Sequence, residues 1–207
     1  MTERRLADAQ RRRREAAIAG HRGDEAGARA LLRDEDPSVR SAALGALQRV
    51  DALTEADLTE ALADSDVGVR RRALELVATL RGQGPSLRVA IVPLLNDPDD
   101  TVVEVAAWAS GEREPAEPGA VARLSVLAQE ADDALVRESA VAALGSLGDP
   151  AGLPAILAGT RDKATVRRRA VIALAPFDGP EVDAALEAAL TDRDWQVRQS
   201  AEDLAEH

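Results

Sequence analysis

The sequence predicts an all-α protein, an α-solenoid of about six two-helix repeats with an N-terminal capping helix. Three observations support this prediction. A short motif recurs along the 207 residues with a period of about thirty. The chain is rich in Ala, Leu, Arg and Glu, which are strong helix formers. No segment shows the period-two alternation of apolar and polar residues that indicates a half-buried strand.

The chain aligns on a Val-Arg pair that is followed three residues later by Ala, and several copies extend this to Asp-x-Asp-x-x-Val-Arg-x-x-Ala. The arginine position serves as an anchor for alignment. The six anchors are Arg40, Arg70, Val103, Arg137, Arg167 and Arg198. Successive anchors lie 30, 33, 34, 30 and 31 residues apart. Six copies in register are improbable by chance, so the repeat is a strong signal. Each period accommodates two helices, and the second helix follows the Asp-rich turn.

Start and stop signals locate the helices within each repeat. Asp36 followed by Pro37 combines an N-cap acceptor with a proline at the first helical position. Gly82, Gly148 and Gly179 are placed to end helices in the left-handed conformation. The expected first helices of the six repeats are 24–33, 54–63, 86–95, 120–130, 150–159 and 181–190.

Residues 1–207 are interpreted as a single repeat domain. Its expected parts are a basic capping half-repeat at 1–22, repeats one to three at 23–110, an irregular linker at 111–119 and repeats four to six at 120–207. A terminal repeat needs a polar outer face because no neighbour covers it, and the run of arginines at 11–14 fits that role. The linker is rich in Pro, Gly and Glu, so we expect it to bend the array or to act as a hinge.

Composition and charge exclude several functions. The chain has no cysteine, which rules out disulfides, thiolate metal sites and cysteine nucleophiles. The net charge is −11, although residues 1–22 carry seven arginines, so the remaining body is acidic and repels phosphate backbones. No apolar stretch approaches the roughly 20 residues of a membrane-spanning helix, and no secretory signal is visible. We therefore expect a cytoplasmic monomer that binds neither membranes nor nucleic acid generally.

The motif, followed by Ala-Leu-Gly and Gly-Asp-Pro, resembles the short HEAT-like repeat first associated with bilin lyases. The resemblance covers about residues 16–207 and is specific for fold rather than for function. It implies a right-handed, armadillo-like α-solenoid in which a turn aspartate and the helix-starting arginine bridge neighbouring repeats as a ladder. The residues expected to have this structural role are Asp36, Asp66, Asp99, Asp194, Arg40, Arg70, Arg137, Arg167 and Arg198.

Enzymes built from HEAT-like repeats are the catalytic alternatives. Deoxyhypusine hydroxylase needs several His–Glu pairs to hold two irons, whereas this chain has only His21 and His207, so that activity is excluded. HEAT-like DNA glycosylases need a basic concave face and aromatic side chains around an exposed base, which the acidic body and two tryptophans do not match. No phosphate-binding loop or Ser-His-Asp arrangement appears. We expect no catalytic residues, no metal and no cofactor.

A binding surface remains as the candidate site. In such solenoids the second helices line the concave side, and residues one and five positions after each anchor share a stripe that points into it. A tryptophan flanked by arginines and glutamates has the composition of a protein-binding hot spot. The predicted partner-binding residues are Arg71, Arg72, Glu104, Trp108, Glu138, Arg168 and Arg169. Alternatively, Trp108 packs as local core beside 111–119, and Trp195 is expected to pack locally in the last turn.

The sequence therefore predicts a non-catalytic scaffold or adaptor that binds a protein or peptide along its concave groove. One alternative is a bilin-lyase-like or other accessory component of an enzyme, which bound chromophore absorbance would favour. A second alternative is nucleic-acid binding through the arginine-rich N-terminus. Salt-sensitive retention on heparin that is lost on deletion of residues 1–14 would favour it.

Overall fold

The computed structural model describes residues 3–79 and 89–205, and over these ranges the chain is helical without a β-strand. Its packing divides into two compact units, Met1–Ala90 and Ile91–His207. In each unit, short helices are paired and the pairs are stacked, as in an α-solenoid. The all-α fold class predicted from the repeat is therefore confirmed.

The first unit stacks three long helices in one layer. Its elements are α1 (Glu3–Arg22), α2 (Glu25–Ala30) continued by a 3-10 turn at Leu31–Arg33, α3 (Pro37–Arg49), α4 (Glu55–Leu62) and α5 (Val67–Thr79). Helix α1 packs on α3, which packs on α5, while α2 and α4 pack against the side of this layer. Its core is made of small and branched aliphatic side chains, among them Ala19, Ala28, Ala46 and Leu47.

The second unit repeats this arrangement. Its elements are a 3-10 helix at Val92–Asn96, α6 (Asp100–Gly111), α7 (Ala120–Glu130), α8 (Ala134–Leu147), a 3-10 turn at Pro150–Gly152, α9 (Leu153–Gly159), α10 (Ala164–Ala173), α11 (Pro180–Ala189) and α12 (Trp195–Ala205). Helices α6, α8, α10 and α12 stack in order as one layer. Helices α7, α9 and α11 each pack against the helix that follows them.

Five of the six first helices follow their predicted ranges to within a few residues, but the third does not. A helix was predicted over 86–95, and its first three residues, 86–88, lie outside the described residues, as does the predicted helix stop at Gly82. From residue 89 the chain is non-helical until the 3-10 helix at Val92–Asn96. The Glu117 carboxylate accepts hydrogen bonds from the Ile91 and Val92 amides at 2.9 and 3.3 Å. These bonds, together with the missing amide hydrogen of Pro93, favour the shorter element.

The same glutamate positions the stretch predicted as an irregular linker. Helix α6 ends at Gly111, and α7 begins after Gly119, whose φ of 86° is left-handed. The intervening residues lie inside the second unit and not at its border. Through the bonds of Glu117, this stretch is joined to the start of the 3-10 helix at Val92–Asn96.

Three glycines allow consecutive helices of the long layer to approach closely. They are Gly20, Gly111 and Gly145, which stand eight residues after Arg12, Val103 and Arg137, and each meets an alanine on the next long helix. A Cβ atom on these glycines would lie 2.9 Å from the Ala46 Cα at Gly20, 2.8 Å from the Ala143 Cα at Gly111 and 2.6 Å from the Ala173 Cβ at Gly145. Any side chain at these positions therefore forces the helices apart.

An arginine–aspartate ladder joins successive repeats within each unit. The arginine Nε and Nη2 donate to both carboxylate oxygens of a turn aspartate in the next repeat. The pairs, with their two distances, are Arg12–Asp34 (2.6 and 3.0 Å), Arg40–Asp64 (2.8 and 2.7 Å), Arg137–Asp162 (2.6 and 3.0 Å) and Arg167–Asp192 (2.9 and 2.8 Å). Such bidentate pairs combine charge with fixed geometry.

The arginines at the anchor positions also bind the turn from which their own helix starts. The Nη1 group of each donates to a backbone carbonyl five or six residues earlier, at 2.7 to 2.9 Å. These bonds run from Arg40 to Asp34, from Arg70 to Asp64, from Arg137 to Ala131, from Arg167 to Asp162 and from Arg198 to Asp192. All five arginines that were predicted to be structural therefore hold a turn in place.

In each of four turns that contain two aspartates, the wrong one of the two was assigned to the ladder from sequence. Asp36, Asp66, Asp99 and Asp194 instead cap their helices, accepting from the backbone amide two residues later at 2.9 or 3.0 Å. A carboxylate turned toward its own helix is not directed at the preceding repeat. In three of these turns the aspartate two residues earlier, Asp34, Asp64 or Asp192, accepts the ladder arginine. It also accepts the amide of the cap residue, as Asp34 does from Asp36 at 2.9 Å.

Arg12 is a ladder residue that sequence reasoning placed in a solvated arginine run. Its side chain is 24% exposed, and that of its partner Asp34 is 8% exposed. Two spacings in the sequence could have identified it. Arg12 precedes the first anchor by 28 residues, close to one period, and Gly20 follows Arg12 by the same eight residues that separate Gly145 from Arg137.

The ladder lowers the pKa of its aspartates. The pKa of Asp162 and of Asp192 lies below the usual range chiefly because each accepts hydrogen bonds from its ladder arginine. For Asp34 and Asp64, burial raises the pKa, but the hydrogen bonds from arginine and backbone and the nearby positive charge outweigh it, so the pKa is again lowered. These carboxylates therefore stabilise the fold above the unfolded-state pKa, and that stabilisation is lost as pH falls through the folded-state pKa.

The close helix crossing predicts that Gly145→Ala destabilises the protein by about 1–3 kcal/mol, because overpacking against Ala173 outweighs the higher helix propensity of alanine. Urea denaturation followed by circular dichroism measures the change. The neighbouring Ser146→Ala substitution, at an exposed position, should stay within about 0.5 kcal/mol of wild type. A Gly145→Ala protein as stable as wild type would contradict the close approach.

Adjacent arginines on α10 give a matched test of the ladder. Arg167 is 6% exposed and pairs with Asp192, whereas Arg168 is exposed. We expect Arg167→Ala to lower the free energy of unfolding by about 2–3 kcal/mol, since it leaves a half-buried carboxylate and a turn carbonyl unpaired. Arg168→Ala should change it by less than about 0.5 kcal/mol. The reverse order in thermal melts would show that the ladder is not what holds the turn.

The lowered aspartate pKa values predict a loss of stability in acid. Between pH 7 and pH 5 the unfolding free energy should change little, and below about pH 4 it should fall as the ladder carboxylates protonate. Asp192→Asn removes one of these groups, so its deficit relative to wild type should shrink between pH 5 and pH 3. Urea titrations at these pH values measure both effects. A deficit that is constant over the whole range would mean that the Asp192 charge does not contribute.

Candidate functional site

The second unit carries a groove that crosses α6, α8 and α10. Its volume is about 450 Å³, and the exposed face of Trp108 forms part of its wall. The other lining residues are Glu104, Val105, Glu112, Glu138, Ser139, Ala142, Ala143, Ser146 and Arg169. We call this surface the Trp108 groove.

Helix periodicity explains why these residues share a surface. On α6, Val103, Ala106 and Ala107 are buried, whereas Glu104 and Val105 are partly exposed and Trp108 is exposed. Glu104, Trp108 and Glu112 follow one another at intervals of four residues and fall on one side of the helix. The tryptophan is 42% exposed, so it is supported on one side and open on the other.

The electrostatics of the Trp108 groove are dominated by carboxylates. Three glutamates line it against a single arginine. Arg169 approaches Glu138 from the next long helix, with 3.5 Å between Nη2 and Oε1, and both side chains are partly exposed. Acidic side chains outnumber basic ones in the lining, so the formal charge of the lining is negative.

The structure brings together four of the seven predicted partner-binding residues, namely Glu104, Trp108, Glu138 and Arg169. Arg168 is exposed on α10 but does not line this groove. Arg71 and Arg72 lie on α5 in the first unit. Arg72 donates to Glu75 at 3.1 Å, and the buried Arg71 Nε has no hydrogen-bond partner among the described residues.

Sequence reasoning missed the residues that lengthen the groove. Glu112 and Ser146 each stand nine positions after an anchor, one helical turn beyond the positions that were predicted. Ser139 stands two positions after its anchor, as Arg169 does. Extending the same four-residue step by one more turn would have identified the first two.

The second tryptophan does not pack as predicted. Trp195 is 64% exposed at the first position of α12, where the helix has just begun and its neighbours are the polar residues of the turn. The expectation that Trp195 packs locally is therefore wrong. Both tryptophans face solvent, but only Trp108 lies within a groove.

Other kinds of site are not found in the part of the chain that the structure describes. No group of three or more His, Asp or Glu side chains there is arranged to hold a metal ion. His21 is exposed in the last turn of α1, and His207 lies outside the described residues. No described helix is long and apolar enough to cross a membrane.

Comparisons with known proteins agree with this architecture. A sequence profile for HEAT repeats matches residues 55–145 and 122–205. No curated protein matches the chain by sequence.

Among solved structures, one engineered protein is similar at 22% identity with a TM-score of 0.69, covering 88% of this chain and 97% of that chain. A second engineered protein has 21% identity and a TM-score of 0.64, with 88% and 95% covered. A designed armadillo repeat protein in complex with the peptide (KR)4 has 19% identity and a TM-score of 0.63, with 86% and 96% covered. The family profile spans most of the chain, and the stacked helix pairs have the same architecture. This chain therefore belongs to the HEAT-repeat family.

Proposed function

We propose that the chain is a non-catalytic scaffold that binds a protein or peptide segment in the Trp108 groove. The observation that carries this proposal is a half-exposed tryptophan inside a concave surface lined by carboxylates. Exposed aromatic side chains in such surroundings contribute a large part of the affinity at protein interfaces. A rigid stack of helices fixes the surface before binding, so little conformational entropy is lost when the partner binds.

The chemistry of the groove defines the partner segment. Trp108 offers an apolar face for an aliphatic or aromatic side chain, or for a stacked guanidinium. Glu104, Glu112 and Glu138 favour lysine or arginine on either side of that anchor. The second unit has twenty-two acidic residues against ten basic ones, which attracts a basic segment from a distance. The designed armadillo relative was solved with a Lys-Arg peptide, which supports this class of ligand.

The predicted arginines complete the proposal. Arg169 borders the Trp108 groove and orients Glu138. Arg168, at the adjacent exposed position, is proposed to contact an acidic group that flanks the basic segment of the partner. Arg71 and Arg72 lie on the first unit and are proposed to contact a partner segment there, separate from the segment in the Trp108 groove.

We expect Trp108→Ala to weaken binding of a basic peptide with a central apolar residue by about 30-fold, equivalent to about 2 kcal/mol, because it removes the aromatic anchor. The probe is a fluorescein-labelled (KR)4 peptide with leucine at its two central positions, measured by anisotropy. Trp195→Ala is the matched control, since it removes the other exposed tryptophan. It should change the affinity by less than twofold.

A Trp195→Phe protein retains Trp108 as its sole tryptophan, so its emission spectrum reports directly on the groove. Peptide binding should shift that spectrum at the concentration where anisotropy rises. If both tryptophan variants bind as wild type does, and the emission of Trp108 stays constant, the binding surface lies elsewhere. Melting curves of every variant must first match wild type.

A further inference from the structure

The charges of the chain are divided unevenly between its two units. The first unit, Met1–Ala90, contains sixteen basic residues, all arginine, and fifteen acidic ones, a formal charge of +1. The second unit contains ten basic and twenty-two acidic residues, a formal charge of −12. The chain therefore carries concentrated positive charge within a molecule whose net charge is −11.

Four of these sixteen arginines line one groove on the first unit. The groove has a volume of about 930 Å³ and crosses α1, α3 and the start of α5. Its floor is made of small residues, including Ala17, Ser41 and Gly45. Four arginines line it, namely Arg13, Arg14, Arg49 and Arg72. We call this surface the arginine groove.

Helix geometry distributes the arginine run of α1 over different roles. Arg11 pairs with Asp8 and Glu15 on the open surface at 3.4 and 3.6 Å. Arg12 turns inward to the ladder. Arg13 and Arg14, a further 100° and 200° around the helix, line the groove. The run is therefore more than a solvated helix face.

Three of the four arginines of the groove have guanidinium groups that are available to bind a ligand. Among the described residues, Arg13, Arg14 and Arg49 have no carboxylate within ion-pair distance. Arg72 pairs with Glu75, and its guanidinium lies over Gly45, 3.2 Å from where a Cβ atom would be.

The one carboxylate of the lining, Asp66, caps α5. It accepts from the Gly68 and Val69 amides at 2.9 and 3.2 Å. The backbone of α5 therefore already engages this negative charge, and the groove as a whole remains basic.

We propose that the arginine groove binds an Asp/Glu-rich peptide segment of a partner protein. Guanidinium groups bind carboxylates through two parallel hydrogen bonds, and four of them in one groove match a row of acidic side chains. The small residues of the floor let a peptide backbone lie close to α3. Single exposed ion pairs are weak, so affinity requires several at once and falls as salt rises.

The groove is less suited to nucleic acid. No aromatic side chain lines it, so bases have no platform on which to stack. A long polyanion would also meet the field of a chain with net charge −11. A short acidic peptide needs only the groove itself.

The test uses the full chain and a fluorescein-labelled eight-residue peptide, (Asp-Glu)4, at low ionic strength. Anisotropy should show saturable binding that weakens on raising the salt and is absent for a peptide of Asn and Gln. The double variant Arg13→Glu/Arg14→Glu should bind at least tenfold more weakly. The variant Ser41→Phe, which fills the floor without changing charge, should also weaken binding at least tenfold.

A matched control separates the groove from bulk charge. Arg5→Glu/Arg22→Glu makes the same change of charge on the same helix at exposed positions outside the groove lining. It should retain affinity within about threefold. Trp108→Ala should bind the acidic peptide as wild type does, so this proposal and that for the Trp108 groove fail independently.

Four results would overturn the proposal. Equal losses of affinity in Arg13→Glu/Arg14→Glu and in Arg5→Glu/Arg22→Glu would show that binding depends only on net charge. Tighter, Arg13- and Arg14-dependent binding of a twelve-residue oligothymidylate would assign the groove to single-stranded nucleic acid. A concentration-dependent dimer in sedimentation that the peptide dissociates would assign it to a second copy of this chain. Unaltered peptide binding by Ser41→Phe, folded as judged by melting, would place the peptide outside the groove.

Discussion

The interaction on which the rest of the structure depends is the bidentate pair between an anchor arginine and the turn aspartate of the next repeat. A repeat in such a stack touches only its neighbours, so its turns cannot be secured by distant parts of the chain. One guanidinium secures two turns at once, since Arg40 donates forward to Asp64 and back to the Asp34 carbonyl. The same aspartate also fixes the cap residue of its own helix, as Asp64 does for Asp66. Ion pair, turn and helix start thus form one unit that recurs.

This arrangement divides each long helix into a structural side and an open side. The anchor position and the buried apolar positions are constrained by the neighbouring repeat, as are Gly20, Gly111 and Gly145 on three of the long helices. Positions one, two, five and nine after the anchor are less buried in most repeats, and there the residue types differ. Glu104, Trp108 and Arg169 occupy such positions, as does Arg72. The stack therefore accepts different binding surfaces without changing the contacts that hold it together.

The sequence predicted what depends on local order and missed what depends on backbone conformation or on distant residues. Helix pairs and anchors follow from spacing, because apolar periodicity and caps are local. Whether Asp34 or Asp36 accepts the arginine depends on how the turn directs two carboxylates only two residues apart. The first helix of the third repeat was mispredicted because the Ile91 and Val92 amides donate hydrogen bonds to Glu117, some 25 residues away. The predicted stripe located Trp108 and its glutamates but stopped one helical turn too early.

The two proposed grooves differ in charge as well as in shape, and this difference bears on specificity. A basic segment that suits the Trp108 groove is repelled by Arg13, Arg14 and Arg49, and an acidic segment that suits the arginine groove is repelled by the glutamates around Trp108. Like-charge contacts reject the wrong ligand more effectively than weak attraction selects the right one. Because the ladder leaves the open side of each long helix free, the repeats of one chain can carry opposite charges on surfaces with the same fold. Opposite charge on a shared architecture is a physical means by which a single scaffold can distinguish two kinds of peptide.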